Sequence, residues 1–293
     1  MNLKPFSVIL VLLAGGCATG TRSPSVDASL PSMSAADASG ILDAANATRD
    51  NGHFSEALKI YQELLADPSV PASATAVAQL GVGECMLALG NPSDAKQIFH
   101  SLAANAELHA SALQGEGLAL LALGQPEAAT KALREASEAD PKLWRTWNAL
   151  GDLADVKRQP DEAATLYAKA LALNPDSAPI LNNIGYSRLM ADDPAKAIEA
   201  FRKALELDPK SETIRNNLRL AVAENGDYPE AIRAAGRDQL PIVLNNVGYV
   251  AMRRRDWDTA EAYFAQAMEA SSSYASVTAK NLEQLKAERA LPQ

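Results

Sequence analysis

The chain repeats itself every 34 residues, and that period restricts the folds open to it more than any other feature. A shift of 34 carries Ala163 onto Ala197 and Ala231 in one direction and onto Ala129 and Ala95 in the other; Ala57 and Ala260 fill the matching places in the outermost copies. A small residue recurs upstream as Gly83, Gly117, Gly151, Gly185 and Gly248, with Ala45 in the first copy, and Arg219 alone departs from it. Four residues after each alanine comes a ring or large aliphatic, Tyr61, Phe99, Leu133, Tyr167, Phe201 and Phe264, interrupted only by Ala235. Spacings of three and four mark helix faces, not strands.

One copy, Trp147 to Pro175, shows the unit most fully. Trp147, Leu150, Gly151 and Ala154 share a face of a first helix, and Ala163, Tyr167 and Ala170 share a face of a second. Pro160 interrupts the run between them, and Asn174-Pro175 ends it, because a residue before proline is driven from the α region. Gly151 and Ala163 are expected to let the two helices approach, with Trp147 and Tyr167 filling the space around them. Such a hairpin buries too little to stand alone, so its copies must stack.

A period of 34 with Trp147-x-x-Leu150-Gly151, then Ala163-x-x-x-Tyr167, then Pro175 resembles the tetratricopeptide repeat. The resemblance runs from about Ala38 to Tyr274 and implies an all-α, right-handed superhelical solenoid of about seven hairpins. Two steps are irregular: 38 between the first two copies, where PSVPAS is inserted, and 29 before the last. The expected organisation is a lipoprotein signal peptide at 1–16, a lipidated cysteine and flexible tether at 17–37, the solenoid at 38–274, and a capping helix and tail at 275–293. Val277, Leu282 and Leu285 form the expected apolar face of that cap.

The first 16 residues carry Lys4 and an apolar run from Phe6 to Leu13, too short to span a bilayer. They end Ala14-Gly15-Gly16-Cys17, which resembles a bacterial lipobox with Ala14 where leucine is usual. The resemblance implies diacylglyceryl transfer to Cys17, and Ala18 after it implies the outer membrane, on its periplasmic face. The alternative is an ordinary signal peptide cut near Ala18. Several acyl chains on one cysteine would hold stably. The following stretch, rich in Ser, Ala, Thr and Pro, would reach roughly 25 Å as a flexible coil. Cys85 is then the one remaining thiol, expected to be a small buried hydrophobe.

Charge and motifs exclude several classes of function. The net charge is −9, and loss of Lys4 with residues 1–16 leaves −10, which repels nucleic acid. His53, His100 and His109 form no metal-ligand spacing. The Gly81-Val82-Gly83 pair is half a dinucleotide fingerprint and falls inside a helical pattern, and no nucleophile elbow or phosphate loop occurs. Acidic residues at Glu56, Asp94, Glu127, Asp161 and Glu162 suit the starts of second helices, where they complement the dipole. No catalytic residue, metal, cofactor or small-molecule substrate is expected.

Binding is what remains. In the repeat family the first helices line an inner groove, and here they carry Asn148, Asn182, Asn183, Asn216, Asn217, Asn245 and Asn246, with Asp152, Tyr186 and Tyr249 one turn further on. Amides donate and accept, so such a row could bind an extended peptide backbone, with tyrosines adding apolar area. Equally, one asparagine of each pair could bond a neighbouring repeat. Arg253-Arg254-Arg255 is the only dense basic run, either a solvated helix end or a contact for an acidic partner or anionic headgroups.

Together, the lipobox, the tether, LNNIGY and LNNVGY, and the short copy IRNNLRLAVAENGDYPEAIRAAGRDQL resemble the TadD-type tetratricopeptide lipoproteins of the Flp/Tad (tight adherence) pilus assembly system. That resemblance implies a non-enzymatic scaffold whose partners are a secretin or other pilus-assembly subunits. The alternative is an envelope adaptor that recruits peptidoglycan enzymes or a protease.

Overall fold

A computed structural model describes residues 35–233, 235–271 and 275–290. The expected signal peptide, Cys17 and nearly all of the tether lie outside these residues. Every regular element among the described residues is an α-helix. Seven hairpins follow one another: α1 (Ala35–Asp50) with α2 (Phe54–Leu65), α3 (Ala72–Ala88) with α4 (Pro92–Leu102), α5 (His109–Ala122) with α6 (Pro126–Ala139), and α7 (Trp144–Val156) with α8 (Pro160–Leu173). Then come α9 (Ala178–Met190) with α10 (Pro194–Leu207), α11 (Glu212–Glu224) with α12 (Tyr228–Arg233), α13 (Leu240–Arg253) with α14 (Trp257–Ala270), and a single α15 (Ala275–Arg289). The chain divides into two compact units, Met1–Leu150 and Gly151–Gln293, with the boundary inside α7.

Within each unit the hairpins stack in chain order. In the first, α3 packs on both helices of the hairpin before it, and α5 does the same with α3 and α4. In the second, α11 packs on α9 and α10, and α13 on α11 and α12. Each added hairpin thus covers the apolar face its predecessor would otherwise expose, which is the nearest-neighbour logic of repeat proteins.

The seven aligned alanines, Ala57, Ala95, Ala129, Ala163, Ala197, Ala231 and Ala260, are all buried, none more than 1% exposed. What the glycines do differs from the expected arrangement. A methyl on Gly151 would lie 2.6 Å from the Tyr167 ring, and one on Gly185 would lie 2.6 Å from Phe201. Gly117 faces Leu133, Gly248 faces Phe264 and Gly83 faces Phe99 in the same way. The ring therefore lies directly on the glycine of its own hairpin, while Trp147 stands half-buried and donates its indole N–H to the Pro141 carbonyl at 2.8 Å. In the first unit the next hairpin along also sets a glycine against the ring: Gly81 meets the Tyr61 ring and Gly115 meets the Phe99 ring, which Gly83 of its own hairpin already faces.

The sixth hairpin exchanges these sizes. Arg219 stands where the others have glycine and Ala235 where they have a ring, so bulk moves from the second helix to the first. Arg219 is 8% exposed, and its guanidinium donates to Asn216 Oδ1 at 2.9 Å and Gln239 Oε1 at 3.2 Å. Its second helix, α12, has only six residues, which accounts for the short step to the last copy.

Every hairpin turn also uses one left-handed residue. Gly52, Gly90, Gly124 and Gly226 take positive φ after the first helices of hairpins one, two, three and six. Arg158, Asp192 and Arg255 take φ of 57°, 59° and 61° at the equivalent places in the others. The next residue then donates its N–H back to the helix, as Gln159 does to the Ala154 carbonyl and Asp193 to the Arg188 carbonyl, both at 2.9 Å. This closure satisfies carbonyls the helix end leaves orphaned. Pro92, Pro126, Pro160 and Pro194 then open the second helices at the first position, where no N–H is needed.

The last helix packs on α13 and α14 through Leu282 and Leu285 as expected, but with Thr278 in place of Val277. Leu285 and Thr278 are fully buried and Leu282 packs beside them, whereas Val277 is 49% exposed. Residues 278, 282 and 285 follow the i, i+4, i+7 helical stripe, and Val277 is rotated about 100° from Thr278 on the same wheel.

Candidate functional site

The polar row on the first helices falls mainly in the second unit. In α9, Asn182 and Asn183 are both half-buried, and Asn183 Nδ2 donates to Asp152 Oδ2 of α7 at 3.4 Å. In α11, Asn217 Nδ2 donates to Asn182 Oδ1 at 2.9 Å. In α13, Asn245 is buried and accepts at Oδ1 from Asn281 Nδ2 of α15, again at 2.9 Å. Each of these rungs joins one first helix to the next, or to the cap. Asn182 and Asn245 also donate weakly to the neighbouring Asn183 and Asn246, at 3.5 Å.

Between α11 and α13 no such rung occurs among these described asparagines. Asn216 is exposed and accepts from Arg219 instead, and Asn246 is exposed. An amide offers two donor hydrogens and two acceptor lone pairs, so each rung leaves capacity on the same side chain. Tyr186 and Tyr249 are half-buried and pack in part against the cores beneath them. Asn148 lies in the part of α7 belonging to the first unit and is half-buried.

The tyrosine at the ring position of α8 organises a second polar group. Tyr167 Oη lies 2.6 Å from Asp152 Oδ1 and 2.9 Å from Asp155 Oδ2, and Ser187 Oγ donates to Asp155 Oδ1 at 2.8 Å. Burial pushes the Asp152 carboxyl up to about 7, against the lowering effect of the Tyr167 hydroxyl, and pushes Asp155 up as well. Burial likewise raises Tyr167, which stays a neutral phenol. Asp152 is therefore tied into the hairpin core as well as standing in the row. The signal for this lies in the choice of ring: the residue 15 before Tyr167 is Asp152, and Tyr61 Oη donates across the same interval to Asn46 Oδ1 at 2.6 Å. Where the ring is Phe201 or Phe264, that earlier residue is Tyr186 or Tyr249.

The first unit has its own pocket, of about 290 Å³, lined by Arg49, Glu84, Leu87, Gln114, Leu118 and Arg145 among others. Arg49 Nη1 and Arg145 Nη1 reach the two oxygens of Glu84 at 2.5 and 3.7 Å, although 96 residues separate them in sequence. Cys85 beside it is fully buried, and burial pushes its thiol up to about 11. The basic run is exposed but engaged: Arg253 pairs with Glu224 at 2.8 Å and Arg254 donates to the Glu224 carbonyl at 2.5 Å, which caps α11. Among the described residues no three His, Cys, Asp or Glu side chains converge to hold a metal.

Residues 12–240 match the family described as the Cilia and flagella-associated protein 70 C-terminal domain, a tetratricopeptide-repeat family. The chain belongs to this family. No curated protein matches the chain in sequence. Among solved structures, this tetratricopeptide chain is similar to one in the APC/C hetero-tetramer Cut9–Hcn1, with a TM-score of 0.58 and 15% identity over 86% of its length. It spans about half, 50%, of that chain. It is also similar to a thermophilic tetratricopeptide protein of Thermus thermophilus, TTC0263, with a TM-score of 0.55 and 20% identity over 63% of this chain and 98% of that one. For pilF of Pseudomonas aeruginosa the TM-score is 0.55 and the identity 20%, over 74% and 98%. These likenesses establish an all-α tetratricopeptide fold. Such repeats generally serve as protein-interaction scaffolds and are typically non-catalytic.

Proposed function

We propose that the chain is a lipid-anchored scaffold that holds a protein partner along its asparagine row and assists assembly of a Flp/Tad-type pilus secretion apparatus. Acyl chains on Cys17 attach it to the periplasmic face of the outer membrane, the segment after Cys17 gives reach, and the repeats hold a segment of a secretin or another assembly subunit. Nothing is turned over.

The observation that carries the binding reading is the row itself. Asn216 and Asn246 are exposed and Tyr186 and Tyr249 half-buried, on the first helices α11, α13, α9 and α13 respectively. An extended peptide needs donors and acceptors at regular intervals, and asparagines on stacked helices provide both without selecting a side chain. The lipobox-like Ala14-Gly15-Gly16-Cys17 supports the anchor, and LNNIGY and LNNVGY with the short sixth copy support the pilus assignment.

The test is co-purification from gently solubilised envelopes, with Cys17→Ser as control. A secretin or pilus-assembly subunit should be recovered with the unaltered chain, and Cys17→Ser should leave the membrane fraction. Peptidoglycan hydrolases or a protease, recovered without any secretion component, would replace the pilus reading with that of an envelope adaptor. For the row, Asn216→Ser with Asn246→Ser leaves the Asn182 and Asn245 rungs in place. A partner bound through these amides should lose roughly tenfold or more in affinity, about the worth of one or two hydrogen bonds, and unchanged affinity would reject the groove.

A further inference from the structure

The hydrogen atoms around Tyr167 do not balance if both aspartates are ionised. Its phenol oxygen makes two short oxygen–oxygen contacts, to Asp152 Oδ1 at 2.6 Å and Asp155 Oδ2 at 2.9 Å. A phenol has one hydrogen and can donate it to one of them only. The remaining contact needs a hydrogen from the other side, with the phenol oxygen accepting. Ser187 cannot supply it, because its hydroxyl is directed to Asp155 Oδ1 at 2.8 Å, and the Asn183 amide is directed to the far oxygen of Asp152, Oδ2.

Among the described residues no cation neutralises the pair. The groups acting on the two carboxyls are Tyr167 of α8, Ser187 and Asn183 of α9, and the Asp155 carboxyl on Asp152. Lys157 and Arg158 are exposed, Arg188 is half-buried, and none of the three acts on either carboxyl. Asp155 is only 7% exposed and Asp152 is half-buried. Two bare carboxylates against one phenol oxygen in such a place would repel one another with little screening.

We infer that Asp152, Tyr167 and Asp155 together bind one carboxylic-acid proton in the folded chain at neutral pH, and that its loss loosens the fourth hairpin and its contact with α9. The proton belongs to the pair, as with other closely coupled carboxyls. The direction agrees with the upward displacement of both aspartates by burial. A carboxyl raised on folding gives its full stabilisation below the unfolded value, near 4, and loses it as the pH climbs through the folded value, about 7 for Asp152. The stability the pair contributes is thereby greatest in acid and is lost on going alkaline. Because Asp152 also accepts from Asn183 in the polar row, the same proton sets the state of one rung.

The full chain carrying 13C-labelled aspartate carboxyls, followed by NMR between about pH 3 and 9, tests this directly, with Asp152→Asn and Asp155→Asn for assignment. A carboxyl of the pair should titrate near neutrality. In Asp155→Asn the amide supplies the missing hydrogen to the phenol oxygen while its carbonyl still accepts from Ser187. Asp152 should then titrate lower, with burial still holding it above the ordinary aspartate value. Between about pH 4 and 8 the folded-to-unfolded ratio of the unaltered chain should fall by roughly severalfold or more relative to Asp155→Asn in denaturant titrations. Both carboxyls titrating below about pH 5 in the unaltered chain, close to the ordinary aspartate value, would overturn the inference. So would an Asp155→Asn chain whose stability follows the same pH curve. If that variant does not fold, the titration of the unaltered chain decides alone.

Discussion

Replacing Gly185 by alanine should destabilise the fifth hairpin, even though alanine is the better helix former. The added methyl would lie 2.6, 2.7 and 2.8 Å from Cε1, Cδ1 and Cζ of Phe201. Ordinary carbon contacts sit near 3.5–4.0 Å, so the ring or the helix must retreat by about 1 Å. Phe201 is fully buried, with Ala197 and Ala204 of the same helix also buried, which leaves little room for retreat. Overpacking of this kind costs about 1–3 kcal/mol, and the helix preference of alanine over glycine returns about 1 kcal/mol. With three ring atoms involved, the net loss should be about 2 kcal/mol. Amide hydrogen exchange in α9 and α10 should then quicken by roughly thirtyfold. Gly40 supplies the control: it lies in α1, exposed, with nothing within 4 Å of the added methyl, so Gly40→Ala should stabilise by about 0.5–1 kcal/mol. Combining Gly185→Ala with Phe201→Leu should recover part of the loss, as a coupling of about 1 kcal/mol in a double-mutant cycle. Unchanged or slower exchange in Gly185→Ala would show that the close approach does not require glycine.

Three further outcomes follow from the same geometry. Asp192→Gly and Arg158→Gly should each stabilise by about 0.5–1 kcal/mol in urea titrations, because each residue holds a positive φ that a side chain disfavours. Loss of stability would point to an unsuspected side-chain role. Leu285→Ala should cost about 2–4 kcal/mol and speed exchange in α13 and α14, since Leu285 is fully buried against them, while Val277→Ala should have little effect. Cys85, with its thiol pushed up to about 11 and no exposed surface, should react with a thiol reagent at about pH 8 only as fast as α3 opens. Rapid labelling of the folded chain would contradict this burial.

The period of 34 by itself determined that the chain is a stack of helical hairpins, because alanine, glycine and ring recur at intervals that only helices place on one face. It also located the irregular copy, since Arg219 and Ala235 break the pattern in the sequence itself. What the sequence left open was which atoms use that pattern. Gly81 lies outside the repeating pattern and Gly151 within it, yet both admit a ring, the first from the preceding hairpin and the second from its own. Spacing along one helix does not specify which neighbour fills a gap.

The same limit applies to the polar groups. The asparagines were legible as a row, but their rungs to Asn217, Asn281 and Asp152 depend on the distance between stacked helices. Asp155 had no mark in the sequence, because carboxylates on helices are ordinarily solvated. Only the stacking of α8 and α9 against α7 brings it to Tyr167 and Ser187. Local periodicity is written residue by residue and can be read directly. Burial, and with it the state of a proton, belongs to the assembled hairpins, and the tertiary structure alone decided it.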